Sequence, residues 1–160
     1  MEVWLQQDLQ ILSRVVVAML LGGLIGLERE TRRKPAGLRT HMLVAGAAAL
    51  IVRLGDGVAG TFMRESSAGI LQGDAVRLIE AVVACVGFIG AGTILRSARQ
   101  DHVLGLTTAV SLLMAASIGI ATGLARFGLA AGVAVLCLLV LVVFSWLERR
   151  LPRVDGDPRG

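Results

Sequence analysis

The stretch GLERETRRKPAGLRTH, Gly26 to His41, gathers a carboxylate, a guanidinium, a hydroxyl and an imidazole within fourteen residues, at Glu28, Arg39, Thr40 and His41. Brought together, Glu28, Arg39 and His41 form a small polar site; held apart, the stretch is a solvated basic loop that sets topology. A second group of strings can join it. GFIGAGTI at 87–94 and GLTT at 105–108 bring Gly87, Gly90, Gly92, Thr93, Thr107 and Thr108. Those glycines either permit close helix contact or let a helix end unwind and offer carbonyls to an ion. Unwound backbone at membrane depth is tolerated only where protein buries it or water reaches it. Thr107 and Thr108 either bond back to helix carbonyls, cap a helix start, or join the polar site. The expected cluster is therefore Glu28, Arg39, Thr40, His41, Thr107 and Thr108.

Several chemistries are absent from the pattern. No Ser/His/Asp set, carboxylate dyad or H-E-x-x-H string points to an enzyme. No His/Cys/carboxylate group has transition-metal spacing, and no resident cofactor is expected. GFIGAG does not follow a strand in a βαβ unit, so it is not a dinucleotide fingerprint. Cys85 and Cys137 lie in apolar runs and read as small hydrophobes.

The elements that must position these residues are membrane helices. Of 160 residues 55% are hydrophobic and 18% charged, with 20 glycines and a mean hydropathy of +0.75. That is too apolar for an ordinary soluble domain. A membrane helix needs about 20 mostly apolar residues. Five runs qualify, at about 9–27, 38–54, 75–95, 105–123 and 127–147. The first is no cleavable leader, because Arg14 lies inside it and no small-residue cleavage site follows. Glu28 to Arg32 and Glu30 to Lys34 are helix-stabilising pairs, so the first helix should run past its apolar segment until Pro35 stops it. The expected fold is an all-α, polytopic membrane helix bundle over 1–150 with a short cytoplasmic tail at 151–160.

The net charge of +4 reflects topology rather than nucleic-acid binding. With the N-terminus outside, the inner segments hold eleven basic residues (Arg29, Arg32, Arg33, Lys34, Arg39, Arg96, Arg99, Arg149, Arg150, Arg153 and Arg159). The outer segments hold four (Arg53, Arg64, Arg77 and Arg126). Basic residues favour the cytoplasmic side, so the C-terminus is expected inside.

Helices in lipid associate through small residues and polar contacts. Arg14, Ala18, Gly22 and Gly26 form one such stripe, and His41, Ala45, Ala48 and Val52 another. Glu80, Ala84, Gly87 and Ala91 form a third. On the fourth run Thr107, Ser111, Ala115 and Thr122 share a face, beside Thr108, Gly119 and Gly123. The fifth has Gly128 and Gly132, then becomes uniformly aliphatic, and should be the most lipid-exposed. A charge in hydrocarbon costs at least about 2.5 kcal/mol. Arg14 and Glu80 both lie near the outer ends, so an intramembrane ion pair between them is expected, with separate snorkelling as the alternative. Gly22/Gly26 and Gly119/Gly123 have the GxxxG spacing, which serves packing within one chain or a homo-oligomer.

These strings also resemble the MgtC/SapB family of bacterial inner-membrane proteins. The matching segments are GLIGLERE at 23–30, KPAGLRTH at 34–41, VGFIGAGTI at 86–94, GLTTA at 105–109 and ASIGIATG at 116–123. The resemblance implies a five-helix membrane domain linked to magnesium limitation, intracellular survival and virulence, with some members restraining the membrane ATP synthase. Three features depart from the pattern. Members often carry a C-terminal ACT-like domain, whereas here a short tail follows the fifth run. Cys85 replaces a glycine at the head of the third motif, and Leu112, Leu113 and Met114 stand where a tryptophan is common. The expected function is non-enzymatic regulation of magnesium or energy homeostasis through an integral membrane partner. The alternative is a cation transporter: magnesium takes carboxylates, carbonyls and retained waters, and Glu28, Glu80 and glycine-rich backbone could contribute. Too few acids lie in the runs for a dedicated cage.

Overall fold

The computed structural model describes residues 2–65, 72–97 and 105–150. Those residues form five helices and no strand: α1 (Glu2–Thr31), α2 (Leu38–Glu65), α3 (Gln72–Ser97), α4 (Leu106–Gly123) and α5 (Phe127–Arg150). Each contains a segment long and apolar enough to cross a membrane. The chain is thus an all-α, multi-pass membrane protein. At 1.5 Å per residue the 18-residue α4 is roughly 27 Å long, close to the hydrocarbon thickness. The 30-residue α1 exceeds it. The expected tail at 151–160, together with Arg99, lies outside the described residues.

The short helix α4 is the hub, touching each of the other four, whereas α1 and α3 do not meet. Sequence composition explains the choice of hub. Half of the α4 span is buried, because Ser111, Ala115, Ala116, Gly119, Thr122 and Gly123 leave room for neighbours on several sides. Three apolar clusters meet along it. Ala18, Ala45 and Ala49 close on Ala115. Ala48, Val82 and Val86 close on Leu112 and Ala116. Ile25, Ala130, Ala134, Cys137 and Leu141 close on Ile118.

The α2–α4 contact is the tightest. A Cβ on Gly119 would collide with the carbonyl oxygen of Ala45, so the two backbones touch. A Cβ on Gly123 would sit 2.9 Å from the carbonyl oxygen of Ala49. On α1, a Cβ at Gly22 would lie 2.8 Å from the carbonyl oxygen of His41, and one at Gly26 2.7 Å from Leu38 Cα. Gly90 meets Ala109 across the α3–α4 contact. Close backbone approach of this kind is what holds helices together in lipid.

Several expectations are corrected. The face of α3 that packs is Val82, Val86 and Gly90; Glu80, Ala84, Gly87 and Ala91 are all exposed. Additional Cβ atoms at Gly87 or Gly92 would meet nothing within 4 Å. Val82 and Val86 pack against Ala48, Leu112 and Ala116, so van der Waals fit rather than small size selects the inner face. The α3 helix, with 17% of its span buried, is more exposed than α5, with 22%. On α5 the packed stripe is Ala130, Ala134, Cys137 and Leu141, while Gly128 and Gly132 face open space. The α2 helix continues past its apolar segment to Glu65.

The Arg14–Glu80 ion pair does not form. Their helices are separated by α2 and α4, so the side chains cannot meet. Arg14 Nη1 instead donates to the carbonyl oxygen of Gly123, 2.9 Å away, at the end of α4. There α4 terminates in a Schellman motif: Ala125 is left-handed at φ 59°, its N–H bonds to Thr122 O, and Arg126 N–H bonds to Ala121 O. The Gly123 carbonyl is one of the groups a helix end leaves unpaired, and Arg14 satisfies it with a charge that complements the helix dipole.

Candidate functional site

The site is built where α1 ends. Thr31 is the last residue of α1, four before Pro35, because Arg33 turns left-handed at φ 54°. Arg33 N–H bonds to Glu30 O and Lys34 N–H to Arg29 O, each at 2.9 Å, a second Schellman motif. This early stop lets the chain reverse through Pro35, Ala36 and Gly37 into α2. Glu30, which helical projection directs away from the bundle, closes the turn: its Oε2 accepts from Leu38 N–H at 2.8 Å. A Cβ on Gly37 would lie 2.7 Å from that oxygen, so glycine makes room for the cap. The carboxylate satisfies a free N–H at the start of α2, where negative charge is favoured.

Glu28 faces inward and is held between two arginines. Arg29 Nε donates to Glu28 Oε2 at 2.7 Å, and Arg32 Nε pairs with Oε1. Arg32 Nη1 also reaches Ser145 Oγ on α5, tying the end of α1 to that helix. Arg29 is buried, with 3% of its side chain exposed, and its Nη1 makes no hydrogen bond. It lies close enough to His41 on α2 and Cys137 on α5 to act on both electrostatically. A buried ion pair of this kind is costly to break, because the surviving partner is left charged in a poor solvent.

His41 is fully buried beneath Gly22 and Gly26. Its Nδ1 donates to Gly37 O at 2.9 Å. Its Nε2 lies 3.0 Å from Ser111 Oγ, which is 2.8 Å from Thr108 O. Both terminal carbonyls can only accept. A neutral imidazole and a hydroxyl bring two protons to these three links, so the Ser111 hydrogen serves either Nε2 or Thr108 O. The hydroxyl is therefore a rotor linking α2 to α4.

The expected cluster is only partly assembled. Glu28 joins Arg29 and Arg32, and His41 joins Ser111 and the Thr108 carbonyl. Arg39 is exposed and Thr40 half-buried, and neither makes a hydrogen bond or ion pair among the described residues. Thr107 is exposed and lines a cavity between α4 and α5. Thr93 Oγ1 bonds back to Gly90 O at 2.7 Å, and α3 stays helical through Ser97, so the glycines there do not unwind the helix. Gly105, at φ 102°, packs on the Thr93 carbonyl and starts α4 without a side-chain cap. The Glu28–Arg32 pair forms as its i,i+4 spacing predicts, but the expected cluster left out Arg29, Arg32 and Ser145. Arg29 continues the stripe Ala18, Gly22, Ile25 by helical spacing, which is the signal that could have found it. Ser145 was invisible without knowing that α5 lies beside α1. Among the described residues no group of three His, Cys, Asp or Glu could hold a metal ion.

Comparison with known proteins gives the family. The model of the MgtC family matches residues 15–150. The Escherichia coli K12 protein named "Putative magnesium transporter YhiD" is 37% identical over 142 residues, 89% of this chain and 64% of its own length. SapB of Bacillus subtilis is 37% identical over 145 residues, 90% of this chain and 60% of its own. MgtC of Salmonella typhimurium LT2 is 38% identical over 130 residues, 80% of this chain and 50% of its own. The chain thus spans between half and two thirds of the length of these relatives. No solved structure matches. With the motifs at 23–41, 86–94 and 105–123 forming the helix contacts just described, and the family model running from α1 through α5, the chain belongs to the MgtC family.

Proposed function

We propose that this protein is a non-enzymatic regulator in the bacterial inner membrane, adjusting magnesium or energy homeostasis by contacting an integral membrane partner through the outward face of α3. The basic end of the bundle, with Arg29, Arg32, Arg33 and Lys34, then lies in the cytoplasm. One observation carries the reading: Glu80 faces outward. It lies within the Val76–Ile94 span, is exposed, and takes no ion pair or hydrogen bond among the described residues. At this outer end of the span the carboxylate can snorkel to the surface or meet a cation from outside the bundle; the partner reading takes the second. It shares its stripe with Ala84, Gly87 and Ala91, which permit close approach of another helix. A transport path would instead need a free inward acid, whereas the inward Glu28 is held by Arg29 and Arg32. The bundle centre is filled by Ala18, Ala45, Ala49 and Ala115, with backbones in contact at Gly119.

The second reading is a cation transporter, favoured by the name given to YhiD. The two separate in cells. Photo-crosslinking from position 84 should capture a membrane protein, and Gly87→Leu should abolish a low-magnesium phenotype while leaving the protein folded. A folded Gly87→Leu protein with the full phenotype removes the partner reading.

A further inference from the structure

Between α4 and α5 lies a cavity of about 300 Å³ with nearly all-apolar walls. Val110 and Met114 form one side, Leu136 and Val140 the other, with Ser111 and Cys137 also on its lining. Those last two connect it to the charged corner, since Ser111 touches His41 and Cys137 lies within electrostatic reach of Glu28 and Arg29. Along α5 the cavity ends at Leu141. Four residues on, roughly 6 Å further by helix rise, Ser145 meets Arg32.

That corner carries an excess of positive charge. Two guanidinium groups, Arg29 and Arg32, share the single carboxylate of Glu28. Arg29 retains a buried Nη1 without a hydrogen bond, whereas Arg32 is partly exposed, at 19%. The exposed Arg33 and Lys34 follow in the turn. An apolar slot thus lies along α5, about one helical turn short of a cationic corner whose Arg32 is partly exposed. That is the shape and charge of a site for an anionic amphiphile: guanidinium groups bind phosphate through paired N–H donors.

We propose that this corner binds an anionic phospholipid of the adjoining leaflet, with its phosphate at Arg32, the Arg29 charge behind it, and one acyl chain in the α4–α5 cavity. The proposal stands apart from the partner reading, which concerns α3. A bound lipid would bridge α1, α4 and α5, and so hold together the end of the bundle where the buried charges lie.

The test uses the purified protein in detergent micelles, with binding read by native mass spectrometry and thermal melting. Three probes separate the sources: dioleoylphosphatidylglycerol, dioleoylphosphatidylcholine with the same chains, and inorganic phosphate with the charge but no chain. At least a tenfold preference for phosphatidylglycerol over phosphatidylcholine is expected, with no protection by phosphate alone. Val140→Trp fills the cavity from an exposed position and should weaken phosphatidylglycerol binding at least tenfold. Arg32→Gln should reduce it to the phosphatidylcholine level; if that variant misfolds, Val140→Trp decides. Equal binding of the two lipids, no binding of either, protection by phosphate alone, or wild-type binding by Val140→Trp would each overturn the proposal.

Discussion

The Cα of Gly119 rests against the carbonyl oxygen of Ala45, so that α2 and α4 meet backbone to backbone at the bundle centre. A methyl group there forces the helices apart. Inserted methylenes in a packed core typically cost about 1–3 kcal/mol. Gly119→Ala should therefore lower the melting temperature in detergent, and Gly119→Leu should fail to yield folded protein. Gly87→Leu, on the open face of α3, should melt like the wild type. Equal melting of Gly119→Ala and wild type would refute the contact.

Arg14 caps the end of α4 and does not pair with Glu80. A hydrogen bond to a charged group contributes about 1.5–3 kcal/mol. Arg14→Gln should destabilise by an amount in that range, whereas Glu80→Gln should leave the melting temperature unchanged. In the double variant the effects should add, as they do for sites without shared partners. A measured coupling between the two positions would restore the ion pair that the separation of α1 from α3 excludes.

Glu28 pairs with two arginines, one of them buried. Removing one member of a buried ion pair typically costs about 3–5 kcal/mol. Glu28→Gln should approach that loss in chemical or thermal unfolding. Arg39→Gln, two residues past the end of the same turn but exposed, should be silent. Comparable losses from the two would mean that Arg39 also belongs to the charged corner.

Ser111 supplies the only hydroxyl in contact with His41 Nε2 among the described residues. Ser111→Ala removes it and leaves a buried ring nitrogen unsatisfied, a change of about 1–3 kcal/mol. Ser111→Thr keeps the hydroxyl and should recover most of that stability. The ring nitrogen resonances of labelled His41 should shift in Ser111→Ala and remain near wild type in Ser111→Thr. Unchanged resonances in Ser111→Ala would contradict the link.

The fold was legible because its main determinant is one-dimensional: five apolar runs separated by charged or glycine-containing turns. The inner faces of α1, α2 and α4 were legible too, since Gly22, Gly26, Ala45 and Gly119 are both small and regularly spaced. The face of α3 was not. There small residues line one side and Val82 and Val86 the other, and the rule that small residues face inward selects the wrong side when the valines fit the neighbouring helices. The charged corner was half legible. His41 follows from its place on the α2 stripe and Glu28 from the polar string at 26–41, but the partners Arg32–Ser145 and His41–Ser111 join helices far apart in sequence. Local spacing carries no trace of such pairs. The left-handed Arg33 is a further case, because a glycine would normally mark that position.

The most direct test of the regulator reading is magnesium flux into liposomes holding the folded, inserted protein, against protein-free vesicles and vesicles with Glu80→Gln. The account predicts no flux above the protein-free level for either form. Magnesium entry through the wild type that Glu80→Gln abolishes would contradict it and make α3 the wall of a transport path.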